Sequence, residues 1–166
     1  MPINFFDEAC KTTSNLSLFG LCDDPPQTKN PAYIDEYDNS KWIATVKNSS
    51  NKIVNFFAID NCIVMLRPNG QLESRCEGVL QHETNLKFIE LKDRDSSGWL
   101  GKSRNQLKIT YAEFCRNHDV SKFTNIVAYA SNKQRPSSNN SYATVKREFK
   151  DETGLILEVK STIEIF

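Results

Sequence analysis

Apolar positions along this chain fall into two rhythms, one of period two and one of period 3.6. Residues 41–47, carrying Trp42, Ile43 and Val46, and residues 53–59, rich in Val, Phe and Ile, are strand-like runs separated by the polar Asn48-Ser49-Ser50-Asn51. Asp60-Asn61 interrupts the second run, which resumes over 62–66 and meets the turn Arg67-Pro68-Asn69-Gly70, where Asn-Gly tolerates the positive φ of a tight hairpin. The pattern predicts that 72–80 returns antiparallel to 62–66. A polar turn over 81–85 then leads into a further strand over 86–92, completing a three-stranded meander.

Beyond Lys92 the rhythm changes. Asp93-Arg94-Asp95-Ser96-Ser97-Gly98 is a polar break with helix-capping residues, and from Trp99 to His118 the residues Leu100, Leu107, Tyr111 and Phe114 fall near one helical face, flanked by Ile109 and Ala112. Residues 123–130 form a β-rich run continuous enough for a central strand buried on both faces. Residues 133–141 are polar and predict an exposed loop; 143–153 predict a helix stopped by Gly154, and 155–166 alternate as a closing strand. At the other end, 3–10 predict a short helix, Asp23-Asp24-Pro25-Pro26 through Pro31 an irregular loop, and 33–37 a helical turn. The expected fold class is α/β, a mixed central sheet containing an antiparallel meander and flanked by helices. One domain spans 1–166, with 1–52 a helical or irregular extension and 53–166 the core.

Composition narrows the classes. A chain of 166 residues is one domain by length, and no stretch approaches the roughly 20 apolar residues that cross a bilayer, so no membrane partner is expected. The opening Met-Pro-Ile-Asn-Phe-Phe-Asp-Glu lacks the basic-then-apolar layout of a secretory signal, which predicts a cytoplasmic protein. Five cysteines, Cys10, Cys22, Cys62, Cys76 and Cys115, show no paired close spacing and read as reduced thiols; two histidines, His82 and His118, leave little for a zinc site. A formal net charge of zero argues against coating nucleic acid by bulk charge, while a local basic patch stays open.

The chemistry concentrates between Arg75 and Lys92. Strand alternation points Phe88, Glu90 and Lys92 to one face and Ile89 and Leu91 to the other. If the segment bearing Glu77 pairs with this strand, Glu77 approaches Glu90, and two carboxylates able to hold a hard divalent cation stand beside an ammonium suited to charge on a phosphate. An acidic residue, a short turn and then hydrophobic-Glu-hydrophobic-Lys (Ile89-Glu90-Leu91-Lys92) resembles the PD-(D/E)xK nuclease superfamily, the restriction-endonuclease-like fold. The first acid of that pattern is usually Asp, where this chain has Glu77. The order of elements from 53 onward is similar to the fold's core, in which three meandering strands carry the acids and a helix crosses to a further central strand.

The resemblance implies a divalent-metal-dependent nuclease hydrolysing phosphodiesters of DNA or RNA. Glu77 and Glu90 would ligate Mg²⁺ or Mn²⁺, Lys92 would position water or stabilise the reacting phosphate, and Asp60 is a lesser candidate ligand. Gln106 matches a helix glutamine that approaches the site in several such families. Lys102, Arg104, Gln106, Lys133 and Arg135 are the candidate nucleic-acid contacts, and analogy with nucleases that cut both strands adds a homodimer. Two alternatives stay open: a catalytically inactive nuclease-like fold that binds nucleic acid or protein, and an ordinary sheet in which Glu and Lys form cross-strand pairs worth a few tenths of a kcal/mol each.

Overall fold

The computed structural model of the chain describes residues 2–94, 96–135 and 142–166. The expected loop over 133–141 lies mostly outside these residues, as does Asp95 of the polar break. In chain order the elements are β1 (Lys11–Ser14), β2 (Leu18–Cys22), β3 (Tyr33–Asp35), β4 (Ala44–Lys47), β5 (Val54–Ala58), β6 (Gly78–His82), β7 (Asn85–Lys92), α1 (Trp99–Asn117), β8 (Asn125–Asn132), α2 (Ala143–Thr153), β9 (Leu157–Val159) and β10 (Thr162–Glu164). They form a six-stranded sheet in the order β1-β5-β6-β7-β8-β9 and a four-stranded sheet in the order β10-β4-β2-β3. In the larger sheet β1, β5, β6 and β7 run antiparallel to their neighbours, whereas β7, β8 and β9 are mutually parallel.

Each face of the six-stranded sheet buries a different core. On one side Val79, Leu86 and Phe88 meet Leu100, Leu107 and Phe114 of α1 and Phe149 of α2. On the other, Phe56, Leu80, Ile89 and Leu91 meet Phe19, Leu21, Val46 and Ile163 of the four-stranded sheet. The mixed central sheet is therefore flanked by helices on one face only, and a second sheet covers the opposite face. Because both faces of β7 are covered, every residue from Leu86 to Leu91 is buried. Along α1 the buried positions Trp99, Leu100, Ser103, Leu107, Thr110 and Phe114 recur at three- and four-residue intervals, the stripe one helix face presents to a sheet. Phe114 stacks on His118 at 4.7 Å, and His118 Nε2 accepts the backbone N–H of Phe5 at 3.2 Å, which ties the N-terminal segment to the end of α1. Gly154 closes α2 with φ 78°, the left-handed conformation that favours glycine.

Several expectations are corrected. Residues 1–52 are not a helical or irregular extension: they supply β1 of the larger sheet and β2, β3 and β4 of the smaller one. The helix expected over 3–10 shrinks to a single 3-10 turn, Glu8–Cys10. The helical turn expected over 33–37 is the edge strand β3, held because Trp42 Nε1 and the backbone N–H groups of Tyr37 and Asp38 all donate to the Asp35 carboxylate. The turn at Arg67–Gly70 forms, with Gly70 at φ 83°, but only Leu66 and Leu72 bridge beyond it. The strand after this turn starts at Gly78 and pairs with β5 rather than with 62–66. The expected closing strand divides into β9 and β10, which belong to different sheets. Finally, Cys10 and Cys62 are not reduced thiols: they form a disulfide between Cα atoms 6.0 Å apart. The β1–β5 pairing, Lys11 opposite Phe57, brings together cysteines 52 residues apart, a proximity that local spacing does not signal. Cys22 and Cys76 are buried free thiols and Cys115 an exposed one.

Candidate functional site

Because β6 runs against β5 and β7, its start lies at the same end of the sheet as the C-terminal ends of those two strands. Asp60 follows β5, Glu77 precedes β6, and Glu90 and Lys92 close β7, so all four collect at that end. Register makes the juxtaposition specific. Gly78 pairs with Ile89, so the next step of the ladder sets Glu77 opposite Glu90, and residues directly opposite share a face. That face is the one Phe88 presents to α1, where it packs edge-on against Tyr111 and Phe114 at 5.5 and 5.3 Å.

The backbone of this region is held from both sides. Ile59 donates its N–H to the Glu77 carbonyl at 2.8 Å, and the Cys76 N–H donates to Thr110 Oγ1 of α1 at 2.8 Å. Gly78 admits the close approach of β5: a Cβ there would stand 2.3 Å from Phe56 Cζ and 2.7 Å from the Phe57 carbonyl oxygen. The site side chains then form a connected chain. Lys92 Nζ lies 2.9 Å from Glu90 Oε1 and donates to Gln106 Oε1 at 3.0 Å. Gln106 Nε2 donates to the Arg75 carbonyl at 3.1 Å, and the Arg75 guanidinium pairs with Asp60 Oδ1 at 2.8 Å. With both ends of its amide engaged, Gln106 holds the Lys92 ammonium in place.

The electrostatics are those of crowded, buried acid. Glu90 is wholly buried and its Oε2 meets no hydrogen-bond donor among the described residues; burial pushes its carboxyl up to about 7, against the pull of Lys92 and with Asp60 and Asp23 adding to the rise. Glu77 is held well above the usual carboxylate range by burial first, then by the charges of Glu90, Asp23 and Asp60. Asp23, at the end of β2, is raised to about 6 by burial and by Asp60 and Asp24. Lys92 and Arg75 already pair with Glu90 and Asp60, and a hard cation would supply further positive charge. Glu77 and Glu90 are the residues that would hold it. Among the described residues no three of His, Cys, Asp and Glu form a ready-made metal shell. Mg²⁺ is commonly bound through one or two carboxylates, because it retains several waters.

The remaining sequence candidates scatter. Lys133 is beside the site, its backbone N–H donating to the Lys92 carbonyl at 2.9 Å, while its own Nζ donates to the Ser40 carbonyl at 2.6 Å. Arg135 is exposed, two residues further on. Lys102 is exposed on α1, one turn before Gln106. Arg104 points elsewhere: it pairs with Glu148 and, at 3.3 Å, with Glu152 of α2. Lys108 joins the same cluster, 3.1 Å from Glu152. Sequence reasoning missed Asp23 and Arg75. Asp23 follows an apolar run as Asp60 does, but nothing local tells which strand end a loop acid will reach. No family model matches the chain, and no curated protein or solved structure matches it either.

Proposed function

We propose that this protein is a divalent-metal-dependent nuclease acting on DNA or RNA, with Glu77, Glu90 and Lys92 at its centre. One observation carries the reading: Glu77, just before β6, and Glu90 of the adjacent β7 are both buried at the same end of the sheet, with the Lys92 ammonium 2.9 Å from Glu90. The element order supports it. β5, β6, β7 and β8 lie side by side in sequence order with α1 connecting the last two, the arrangement implied by the resemblance to the restriction-endonuclease-like core. The site also lies at the carboxyl ends of β7 and β8, where open α/β sheets bind ligands.

A bound Mg²⁺ or Mn²⁺ would polarise a phosphoryl oxygen and lower the pKa of water. The chain's own residues divide the rest of the work. Glu77 and Glu90 would hold the cation, Lys92 would direct an ammonium N–H at the phosphate oxygen that gains charge, and Gln106, accepting from Lys92 Nζ at 3.0 Å, orients that ammonium beside Glu90. Water would attack phosphorus and give up a proton as the bridging P–O bond breaks, and the leaving oxygen would gain a proton, so that one water is consumed and protons balance. Lys133, Arg135 and Lys102 supply positive charge for the flanking backbone.

The test is cleavage of single- and double-stranded DNA and RNA by purified protein with Mn²⁺ or Mg²⁺, set against Glu77→Gln, Glu90→Gln and Lys92→Met variants whose circular dichroism matches wild type. Cleavage by wild type alone supports the proposal. Cleavage by Glu90→Gln at the wild-type rate removes Glu90 from the mechanism, and no cleavage of any substrate favours the inactive, partner-binding form of the fold.

A further inference from the structure

The Cys10–Cys62 disulfide stands at the same end of the larger sheet as the candidate site. Cys10 immediately precedes β1, whose ladder with β5 ends on the pair Lys11 and Phe57, and Cys62 lies in the turn that follows β5. That turn also carries Asp60. It is tight: the N–H groups of Cys62 and Ile63 both donate to the Ile59 carbonyl, at 3.1 and 2.9 Å, and Asn61, between Asp60 and Cys62, is left-handed at φ 60°. Asn tolerates this conformation, but a side chain kept there needs its neighbours fixed. The two halves of the bond are held unequally. On the Cys10 side β1 is laddered to β5, Phe6 packs edge-on against Phe57 at 5.2 Å, and Ile3 donates its N–H to Asn117 Oδ1 at 2.8 Å. On the Cys62 side the turn has its own two hydrogen bonds, the disulfide and the Asp60–Arg75 pair, and Val64 just beyond it is exposed. Breaking the bond therefore loosens the turn rather than β1. Cys62 is only partly buried, so a thiolate can reach its Sγ.

From Asp60 an unbroken run of contacts leads to Lys92. The Asp60 carboxylate pairs with the Arg75 guanidinium at 2.8 Å, the Arg75 carbonyl accepts Gln106 Nε2 at 3.1 Å, and Gln106 Oε1 accepts Lys92 Nζ at 3.0 Å. Ile59, where the turn begins, donates its N–H to the Glu77 carbonyl at 2.8 Å. We infer that the Cys10–Cys62 disulfide is a redox-sensitive clasp on the candidate site: closed, it fixes the turn that carries Asp60 and through it Lys92, and opened by a dithiol, it releases both. This inference rests on the proposed function and adds regulation to the same site. Opening begins when one thiolate of the dithiol attacks Cys62 Sγ; the S–S bond breaks and Cys10 leaves as a thiolate that takes up a proton. The second thiolate of the reductant then attacks the mixed disulfide and frees Cys62, which is protonated in turn. The protein's disulfide gains two electrons and two protons, and the dithiol becomes a disulfide. With the turn released, Arg75, Gln106 and Lys92 lose their fixed positions in succession, because each is oriented by the one before it.

The experiment compares the full chain before and after reduction by dithiothreitol, with a Cys10→Ser, Cys62→Ser double variant as the permanently open form and Cys115→Ser as the control for the exposed thiol. Two readouts need no substrate: amide hydrogen exchange followed by mass spectrometry, and competitive acetylation of Lys92 with Lys102 as the internal reference. Metal-dependent cleavage of DNA and RNA is the third. Reduction should speed exchange over 59–63 while α2 stays protected, raise the acetylation rate of Lys92 about 2- to 30-fold, the span of couplings carried through such packed networks, and lower cleavage. The double variant should match the reduced chain, and Cys115→Ser should respond as wild type does. Unchanged Lys92 acetylation on reduction overturns the inference, as does a disulfide that the dithiol cannot open in the folded protein. Faster exchange throughout β8 and α2, or loss of the fold by circular dichroism in both open forms, overturns it as well, because the bond would then brace the whole molecule. Lys92 freed by reduction, with no cleavage in either redox state, keeps the clasp and overturns the nuclease reading on its own.

Discussion

Replacing Glu90 by Gln should make the metal-free protein more stable at pH 8 while abolishing cleavage. Burial raises the Glu90 carboxyl from an ordinary 4.5 to about 7. The sign follows from proton counts. Between those two values the folded chain binds more protons than the unfolded one, so stability falls as pH rises through that window and stays low above it. A tenfold change in proton affinity is worth about 1.4 kcal/mol, so by pH 8 the ionised Glu90 costs the fold about 3 kcal/mol. Gln removes this cost. It also gives up the ion pair with Lys92 and brings an amide N–H₂ into a buried position, an offset of about 1 kcal/mol.

The net expectation is a gain of about 2 kcal/mol at pH 8, or about 4–8 °C in melting temperature for a chain of this length. At pH 5 most of the wild-type carboxyl is already protonated, so the gain should fall close to zero. Urea titrations of both proteins at the two pH values, in chelator, measure it. Saturating Mn²⁺ should then close the gap at pH 8, since only wild type keeps both carboxylates. A Glu90→Gln protein that is less stable than wild type at pH 8 would refute the reasoning, because it would make Glu90 a structural strut whose ionised form the fold needs.

Three further outcomes follow from the packing. The Cys10–Cys62 disulfide closes a 52-residue separation, so its reduction should remove about 4 kcal/mol of stability in the chain-entropy picture, and thiol titration of the unfolded, unreduced protein should find three reactive cysteines. Five thiols would show that the bond is absent. Arg104→Ala should cost about 1 kcal/mol through its lost pairs with Glu148 and Glu152 and leave nucleic-acid affinity unchanged, whereas Lys102→Ala with Lys133→Ala should weaken binding and flatten its salt dependence. Gly78→Ala should destabilise by about 1–3 kcal/mol, because the new methyl meets the Phe56 ring and the Phe57 carbonyl, and by moving the adjacent Glu77 it should weaken Mn²⁺ binding.

What the sequence reveals, and what it hides, depends on whether a signal is local. The extents of α1 and α2 are legible because a buried stripe of period 3.6 and a left-handed Gly154 are each written within a few residues. β5 and β7 are legible for the same reason, and alternation correctly puts Glu90 and Lys92 on the face opposite Ile89. The Asn69-Gly70 turn is equally local, yet the hairpin it advertises does not develop: Val64, Leu66 and Leu72 remain 66%, 57% and 56% exposed, so the arms have no buried face to hold a ladder. The break between β9 and β10 is invisible for the converse reason. Leu157, Val159, Ile163 and Ile165 keep a period of two while the chain changes sheets around Ser161, whose hydroxyl donates to the Asn132 carbonyl at 3.0 Å and whose own carbonyl accepts the Thr45 N–H at 2.7 Å.

The same distinction explains the candidate site. Glu77, Glu90 and Lys92 are carried by strands that are neighbours in sequence, so pairing and alternation suffice to bring them together. Asp60, already a lesser candidate in the sequence, follows β5, the strand next to β6 in the same sheet, whereas Asp23 follows β2 of the other sheet, a place that no window of sequence contains. Arg104 shows the reverse error. Its position near the start of α1 suggested a phosphate contact, but α2 packs alongside and offers Glu148 and Glu152, and a nearby fixed carboxylate competes with a distant polyanion for the same guanidinium. A charged residue on an amphipathic helix therefore cannot be assigned to a ligand until the neighbouring helix is known. A charged residue in the middle of a strand can be placed by alternation, because its two faces are fixed by the apolar residues on either side.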